Sequence, residues 1–258
     1  MGALALPASF LGIGLVTLVA TIYLMDGMVS GPGAELGQFG WFIGAWVLMM
    51  AAMMLPSVAP MALTFARVTV ERSRKGQAAF VPTWIFILGY FAAWTAFGLA
   101  AYAIDYIIRS LDFAWLALDR EGPMVTGIAI AAAGVYQFTP FKRVCLMHCR
   151  SPLDFFLESW REGPGGALLM GAHHGLYCVG CCWGLMLVLF AVGVMSLFWM
   201  AVIAVLIFAE KVFRVGARLA PVIGVALIVS GLWIAIAPAS VPGLHSSEQK
   251  ADMAGMKM

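Results

Sequence analysis

Seven apolar segments, each about as long as a membrane is thick, constrain this chain more than any other feature. A helix that crosses the hydrocarbon core needs roughly 17–25 mostly apolar residues. The segments of about this length are 8–26, 41–64, 82–104, 123–140, 172–194, 196–212 and 219–238. Only 11% of the residues are charged, against roughly 25% in a typical soluble domain. The sequence therefore predicts an all-α, polytopic transmembrane helix bundle with about seven spans; because 123–140 and 196–212 are short, six spans are the alternative.

Eleven of the fifteen Lys and Arg residues fall on alternate loops between these segments. They are Arg67, Arg72, Arg74 and Lys75 after the second segment, Lys142, Arg143, Arg150 and Arg161 after the fourth, and Lys211, Arg214 and Arg218 around the end of the sixth. Cytoplasmic loops of membrane proteins are enriched in Lys and Arg. The distribution predicts a cytoplasmic N-terminus and an external C-terminus. Glu210 is interpreted as an interfacial partner of Lys211 or Arg214.

Two stretches do not fit the pattern of a spanning helix. Residues 152–163 place aromatic and acidic side chains on different faces of a helix too short to span, which predicts a helix lying in the interface. Residues 244–258 are polar and contain Met and His, which predicts a flexible external tail. The transmembrane bundle is accordingly expected to occupy residues 1–243.

The cysteines and histidines are concentrated in two segments that would lie at the cytoplasmic end of the bundle. These residues are Cys145, His148 and Cys149 in the first segment, and His173, His174, Cys178, Cys181 and Cys182 in the second. Thiolate and neutral imidazole are ligands for Cu(I) and Zn(II). On a helix, His174, Cys178 and Cys181 fall on one stripe with Met170. A single Cys or His is most simply explained by packing, but this concentration predicts a metal site built from cytosolic, reduced thiols.

A group of methionines suggests which metal is handled. Met49 and Met53, and also Met50 and Met54, are spaced four residues apart in the second segment. Thioether ligands are soft and select Cu(I) over harder ions. Packing is the simpler explanation for these four residues alone. Together with the Cys and His residues they predict a path of soft ligands for Cu(I).

These residues carry a resemblance to a known family. The elements are Met49–Met54 with Leu55-Pro56, Cys145-x-x-His148-Cys149, and His173-His174-Gly175 followed by Cys178-x-x-Cys181-Cys182-Trp183. Over most of residues 40–238 the chain resembles a bacterial family of predicted metal-binding integral membrane proteins of unknown function. The resemblance implies metal binding within a helical bundle in the bacterial inner membrane.

The patterns favour a protein that handles a soft metal, with Cu(I) as the first candidate and zinc as the second. It would act as a transporter or as a metallochaperone for a cuproenzyme. The expected partners are the lipid bilayer, the metal ion and a protein or membrane complex that donates or receives the metal. Nothing in the sequence supports nucleic-acid binding, and no catalytic motif points to an enzyme.

Two other classes of function compete with metal handling. A membrane thiol–disulfide oxidoreductase could use Cys178-x-x-Cys181, because this spacing supports thiol–disulfide exchange. An accessory membrane subunit of a larger complex would use the helical bundle only as an anchor.

Overall fold

The structure is a computed structural model that describes residues 39–110, 118–192, 197–213 and 215–237, together with the single residues Gly12, Val16 and Val19. Within the four ranges the chain forms eight helices and no strand, which confirms the all-α prediction. The helices are α1 (Phe39–Arg74), α2 (Thr83–Ser110), α3 (Leu118–Tyr136), α4 (Pro140–Arg150), α5 (Pro152–Ser159), α6 (Gly163–Val192), α7 (Leu197–Val212) and α8 (Gly216–Ile236).

Within the described ranges, four helical segments are long and apolar enough to cross a membrane. They are Phe39–Arg74, Thr83–Ile104, Gly163–Leu189 and Arg218–Ile236. A fifth span results if α3 and α4 are counted together across a 65° bend. The predicted segment 196–212 is helical as α7, but its 16 residues fall short of a full span.

The count of seven spans and the orientation of the termini stay predictions. The predicted first span, residues 8–26, and the tail 244–258 lie outside the described ranges. The residues of the described ranges therefore support four or five spans by length and composition.

The bend between α3 and α4 follows from local sequence. Pro140 lacks an N–H group and is suited to the first turn of a helix rather than to its interior. Thr139 caps α4, and its side-chain oxygen accepts a hydrogen bond from the backbone N–H of Lys142 at 3.3 Å. The chain therefore ends one helix at Tyr136 and starts another at Pro140, which places Cys145 and Cys149 one turn apart on α4.

Glycines allow α6 to lie directly against α2. A Cβ atom added at Gly171 would collide with the backbone carbonyl of Phe86, and one added at Gly89 with that of Leu168. Small residues permit this close approach between helices in a bundle. The contact fixes α6, which carries five of the twelve predicted metal ligands, against the neighbouring span.

We expect Gly171→Ala to destabilise the protein by about 1–3 kcal/mol, because the added methyl group forces two helix backbones apart. Gly165→Ala is the matched control on the same helix, since a Cβ atom there would meet no atom within 4 Å. The measurement is the free energy of unfolding of each purified variant, with unfolding monitored by circular dichroism. Equal stability of the two variants would show that α2 and α6 can separate without cost.

The short helix α5 covers one end of the bundle. Its Phe155 and Phe156 are buried, and their rings contact Phe65, Phe86 and His174. Leu153 and Leu157 on the opposite side are exposed. The helix lies within the predicted stretch 152–163, and its position at a membrane surface stays a prediction.

Candidate metal centre

One face of α6 carries the predicted ligand stripe into the interior of the bundle. Met170, His174, Cys178, Cys181 and Cys182 are each no more than 3% exposed. These residues recur every three or four positions, so they lie on neighbouring turns of one helix face. The sequence-based stripe therefore points inward, towards the other helices.

Four thiols form a cluster between α6 and α4. The Sγ atom of Cys181 lies 3.7 Å from that of Cys149 on α4. Cys181 and Cys182 donate hydrogen bonds to the backbone oxygen of Cys178 at 3.1 and 2.8 Å. All four are free cysteines, and Cys149 is the only one of the four that is half-buried rather than buried. We call Cys149, Cys178, Cys181 and Cys182 the thiol cluster.

Cys145 contacts α6 one turn before Cys149. A Cβ atom added at Gly180 would lie 2.6 Å from the Cys145 Sγ atom. The sulfur of Cys145 thus packs against the backbone of α6, and Gly180 is the residue that leaves it room. The structure places Cys145 beside the thiol cluster, and its role as a metal ligand stays a prediction.

Two residues that the sequence analysis did not select contact Cys178. The Lys211 ammonium of α7 donates a hydrogen bond to the Cys178 Sγ atom at 2.8 Å, and the Tyr90 hydroxyl of α2 lies 2.9 Å from the same sulfur. Both residues are buried. The sequence did hold a signal for Lys211, because an ionisable group at the end of an apolar helix is often functional. Tyr90 gave no such signal.

The interpretation of Glu210 as a partner of Lys211 or Arg214 is wrong. The Glu210 carboxylate pairs with Lys142 of α4, at 2.7 and 2.9 Å from its Nζ atom, and Lys142 also donates a hydrogen bond to Gln137. Successive residues of a helix point about 100° apart. Lys211 therefore points to the thiol cluster, while Glu210 points to α4 and is balanced by Lys142.

His174 is buried one turn before Cys178. Its ring stacks on Tyr90 with the ring centroids 5.8 Å apart, and it contacts the edge of Phe155 at 5.4 Å. Its Nδ1 atom has no hydrogen-bond partner among the described residues. Since an unsatisfied buried polar atom is costly, this nitrogen is suited to binding an ion.

His148 and His173 belong to a different group, nearer the surface. The His148 ring stacks on Tyr177 at 4.3 Å and 7°, and the His173 ring lies 4.8 Å from the same tyrosine. The His148 Nδ1 atom lies 2.9 Å from the Val144 oxygen. The structure therefore gathers these two histidines around Tyr177 rather than at the thiol cluster.

Residues 43–234 match the sequence model of a protein family that is described as PpoB2, copper chaperone. This chain belongs to that copper chaperone family. The match confirms the resemblance to a metal-binding family and supports a role in copper handling. No curated protein and no solved structure matches the chain. All twelve predicted ligands of this copper chaperone family member lie inside the matched range.

The four predicted methionine ligands are buried in α1. Met49, Met50, Met53 and Met54 belong to the same hydrophobic core as Cys178, Cys181 and Cys182. Ser57 donates a hydrogen bond to the Met54 oxygen at 3.0 Å and lies 3.8 Å from the Met54 sulfur. Burial of these four side chains is compatible with packing in the core and also with transit of copper. The transit role therefore stays a prediction.

The described part of the chain has a concentration of thiols rather than a preformed cage. Among the described residues, no group of three or more His, Cys, Asp or Glu side chains is arranged to hold a metal ion. The sulfurs of Cys149 and Cys181 lie 3.7 Å apart. This pair joins α4 to α6 at the thiol cluster.

Proposed function

We propose that the protein is a membrane-embedded chaperone that holds Cu(I) on the thiol cluster and transfers it to a copper-dependent enzyme. The observation that carries the proposal is the 3.7 Å separation of the Cys149 and Cys181 sulfurs. At the metal–sulfur distance of about 2.3 Å found in zinc sites, two sulfurs that share one ion at a tetrahedral angle are about 3.8 Å apart. The two thiols can therefore share an ion with little movement of α4 or α6.

The chemistry of the cluster favours Cu(I) as the cargo. Sulfur ligands are soft and bind Cu(I) in preference to harder ions. One Cu(I) ion held by two thiolates carries a single negative charge, which the Lys211 ammonium, 2.8 Å from Cys178, would neutralise. Because burying an unbalanced charge is costly, this arrangement favours a monovalent ion.

The position of the cluster favours transfer to another protein. Cys149 is only half-buried, and the adjacent residue, His148, stacks on Tyr177 beside the exposed His173. This side of the cluster offers a route by which copper can leave towards an acceptor. The four or five apolar helices support a location in the membrane, where the acceptor would dock.

A thiol–disulfide oxidoreductase is the second candidate, because the same 3.7 Å approach would let Cys149 and Cys181 be oxidised to a disulfide. In that step two thiols lose two protons and two electrons to an external disulfide, which becomes a dithiol. The contacts of Lys211 and Tyr90 with Cys178 have no role in that exchange, so the copper function explains more of the site.

X-ray absorption on anaerobically loaded protein tests the proposal. We expect stoichiometric Cu(I) bound by sulfur, and transfer of that copper to an apo-cuproenzyme or a competing Cu(I) chelator. A protein that takes up tetrahedral zinc in preference to copper would contradict the choice of cargo. Copper accumulation inside sealed vesicles, without transfer to an acceptor, would instead identify a transporter.

A further inference from the structure

Lys211 carries a positive charge into the bundle, where no carboxylate of the described residues balances it. The residue is buried, and its ammonium group donates a hydrogen bond to the Cys178 sulfur at 2.8 Å. Glu210, the acidic residue next to it in the sequence, pairs with Lys142 instead. The other ion pairs of the described helices do not involve Lys211. Because an unpaired buried charge is costly, this ammonium favours the binding of a partner with one net negative charge.

Cys178 holds this ammonium in place. Its Sγ atom is contacted by Lys211 from α7 and, at 2.9 Å, by the Tyr90 hydroxyl from α2. A thiol is both a donor and an acceptor of hydrogen bonds, so a neutral Cys178 accepts from Lys211 and donates to Tyr90. Cys178 and Tyr90 are 1% and 0% exposed. Two buried contacts therefore occupy this sulfur, and the Cys178 thiol is suited to positioning Lys211 rather than to binding an ion.

The two sulfurs that meet across the helices, those of Cys149 and Cys181, then remain to share an ion. They lie 3.7 Å apart, and the Lys211 charge acts on both through space. Two thiolates with a singly charged ion carry one net negative charge, which Lys211 balances. Two thiolates with a doubly charged ion are neutral, so the Lys211 charge beside them would stay unpaired. The same pair of ligands therefore distinguishes ions by their charge.

We propose that Lys211 is the residue that restricts the Cys149–Cys181 pair to singly charged soft metal ions, and that Cys178 and Tyr90 position its ammonium group. The proposal rests on the copper function proposed above, and it adds a selection by charge to the selection by softness that sulfur provides. Zinc, which also binds thiolates, is disfavoured by this charge. Removal of Lys211 then changes which ion is preferred, rather than only how tightly ions bind.

Silver(I) and mercury(II) are matched probes for this selection, because both are soft ions that bind pairs of thiolates and they differ by one charge. Each ion is titrated into the purified full-length protein, up to an equimolar amount, against a competing dithiol. We expect Lys211→Met to raise the ratio of the mercury(II) affinity to the silver(I) affinity by about tenfold or more, since one nearby positive charge is lost. Lys211→Arg, which keeps the charge, should leave this ratio near that of the wild type.

Two further variants complete the experiment. Lys75→Met makes the same change at an exposed lysine of α1 and should leave the ratio unchanged. Cys178→Ser should keep most of the silver(I) affinity, because the Cys178 sulfur is not a ligand in this arrangement. This variant tests the proposal even if Lys211→Met does not fold, and circular dichroism shows which variants are folded.

Three results would overturn the selection by charge. They are an equal change of both affinities in Lys211→Met, a ratio for Lys211→Arg that matches that of Lys211→Met, and a loss of silver(I) binding in Cys178→Ser. The titrations use neither copper nor an acceptor protein. A failure of the copper chaperone proposal, observed as no transfer of copper by the wild type, is therefore distinguished from a failure of this one.

Discussion

Glu210→Gln is expected to destabilise the protein by about 3–5 kcal/mol, the usual cost of removing one partner from a buried ion pair. Glu210 and Lys142 are each 2% exposed in their side chains and lie 2.7 Å apart. Without the carboxylate, the Lys142 ammonium would keep its hydrogen bond to Gln137 but lose its countercharge inside the bundle. The pair also joins α4 to α7, so its loss should loosen the helix that carries Cys149.

An exposed ion pair of the same chemistry provides the control for this measurement. Lys75 and Glu71 lie 3.0 Å apart on α1, each with 57% of its side chain exposed. Such pairs contribute about 0–1 kcal/mol, so Glu71→Gln should have little effect. The free energy of unfolding of both variants is compared with that of the wild type. Equal losses would show that the Lys142–Glu210 pair is as well hydrated as the surface pair.

A double substitution separates the charge from the packing. Lys142→Met with Glu210→Met removes both charges and keeps apolar volume, which is often neutral or stabilising for a buried pair. We expect this variant to recover most of the stability that Glu210→Gln loses. A double variant as unstable as the single one would mean that the shape of these side chains matters more than their charge.

The local features of the fold could be predicted from the sequence because they depend on short-range patterns. Apolar runs predicted the helices, and the 3.6-residue period correctly placed His174, Cys178 and Cys181 on one face. Each of these predictions uses residues within a few turns of one another.

The contacts between distant segments could not be predicted in this way. Cys149 and Cys181 are 32 residues apart, and Lys142 and Glu210 are 68 apart. Their pairing depends on how α4, α6 and α7 pack, and the helical period says nothing about that arrangement. Lys211 illustrates the difficulty: it was counted as a loop charge that reports topology, whereas the structure turns its ammonium onto Cys178.

Replacing the two central thiols should abolish copper binding under competitive conditions. In Cys149→Ser/Cys181→Ser, two hard hydroxyl groups take the place of two soft sulfur ligands. Loss of a residue that only supports a metal ligand lowers the metal affinity about 10–100-fold. Because two ligands themselves are lost here, we expect the Cu(I) affinity to fall by more than about a hundredfold. A serine at position 181 can still donate to the Cys178 oxygen, as the thiol does at 3.1 Å, so the helix should be retained.

Cys145→Ser is the matched control because it makes the same chemical change on α4, one turn from Cys149. Its sulfur packs against the α6 backbone at Gly180, so this variant should keep nearly all of the copper affinity. The measurement is an anaerobic titration against a Cu(I) chelator, with circular dichroism to show that each variant is folded. Should the double variant retain copper while Cys145→Ser loses it, the ligands would have to be sought around Cys145. The 3.7 Å approach of Cys149 and Cys181 would then be a packing contact between two helices.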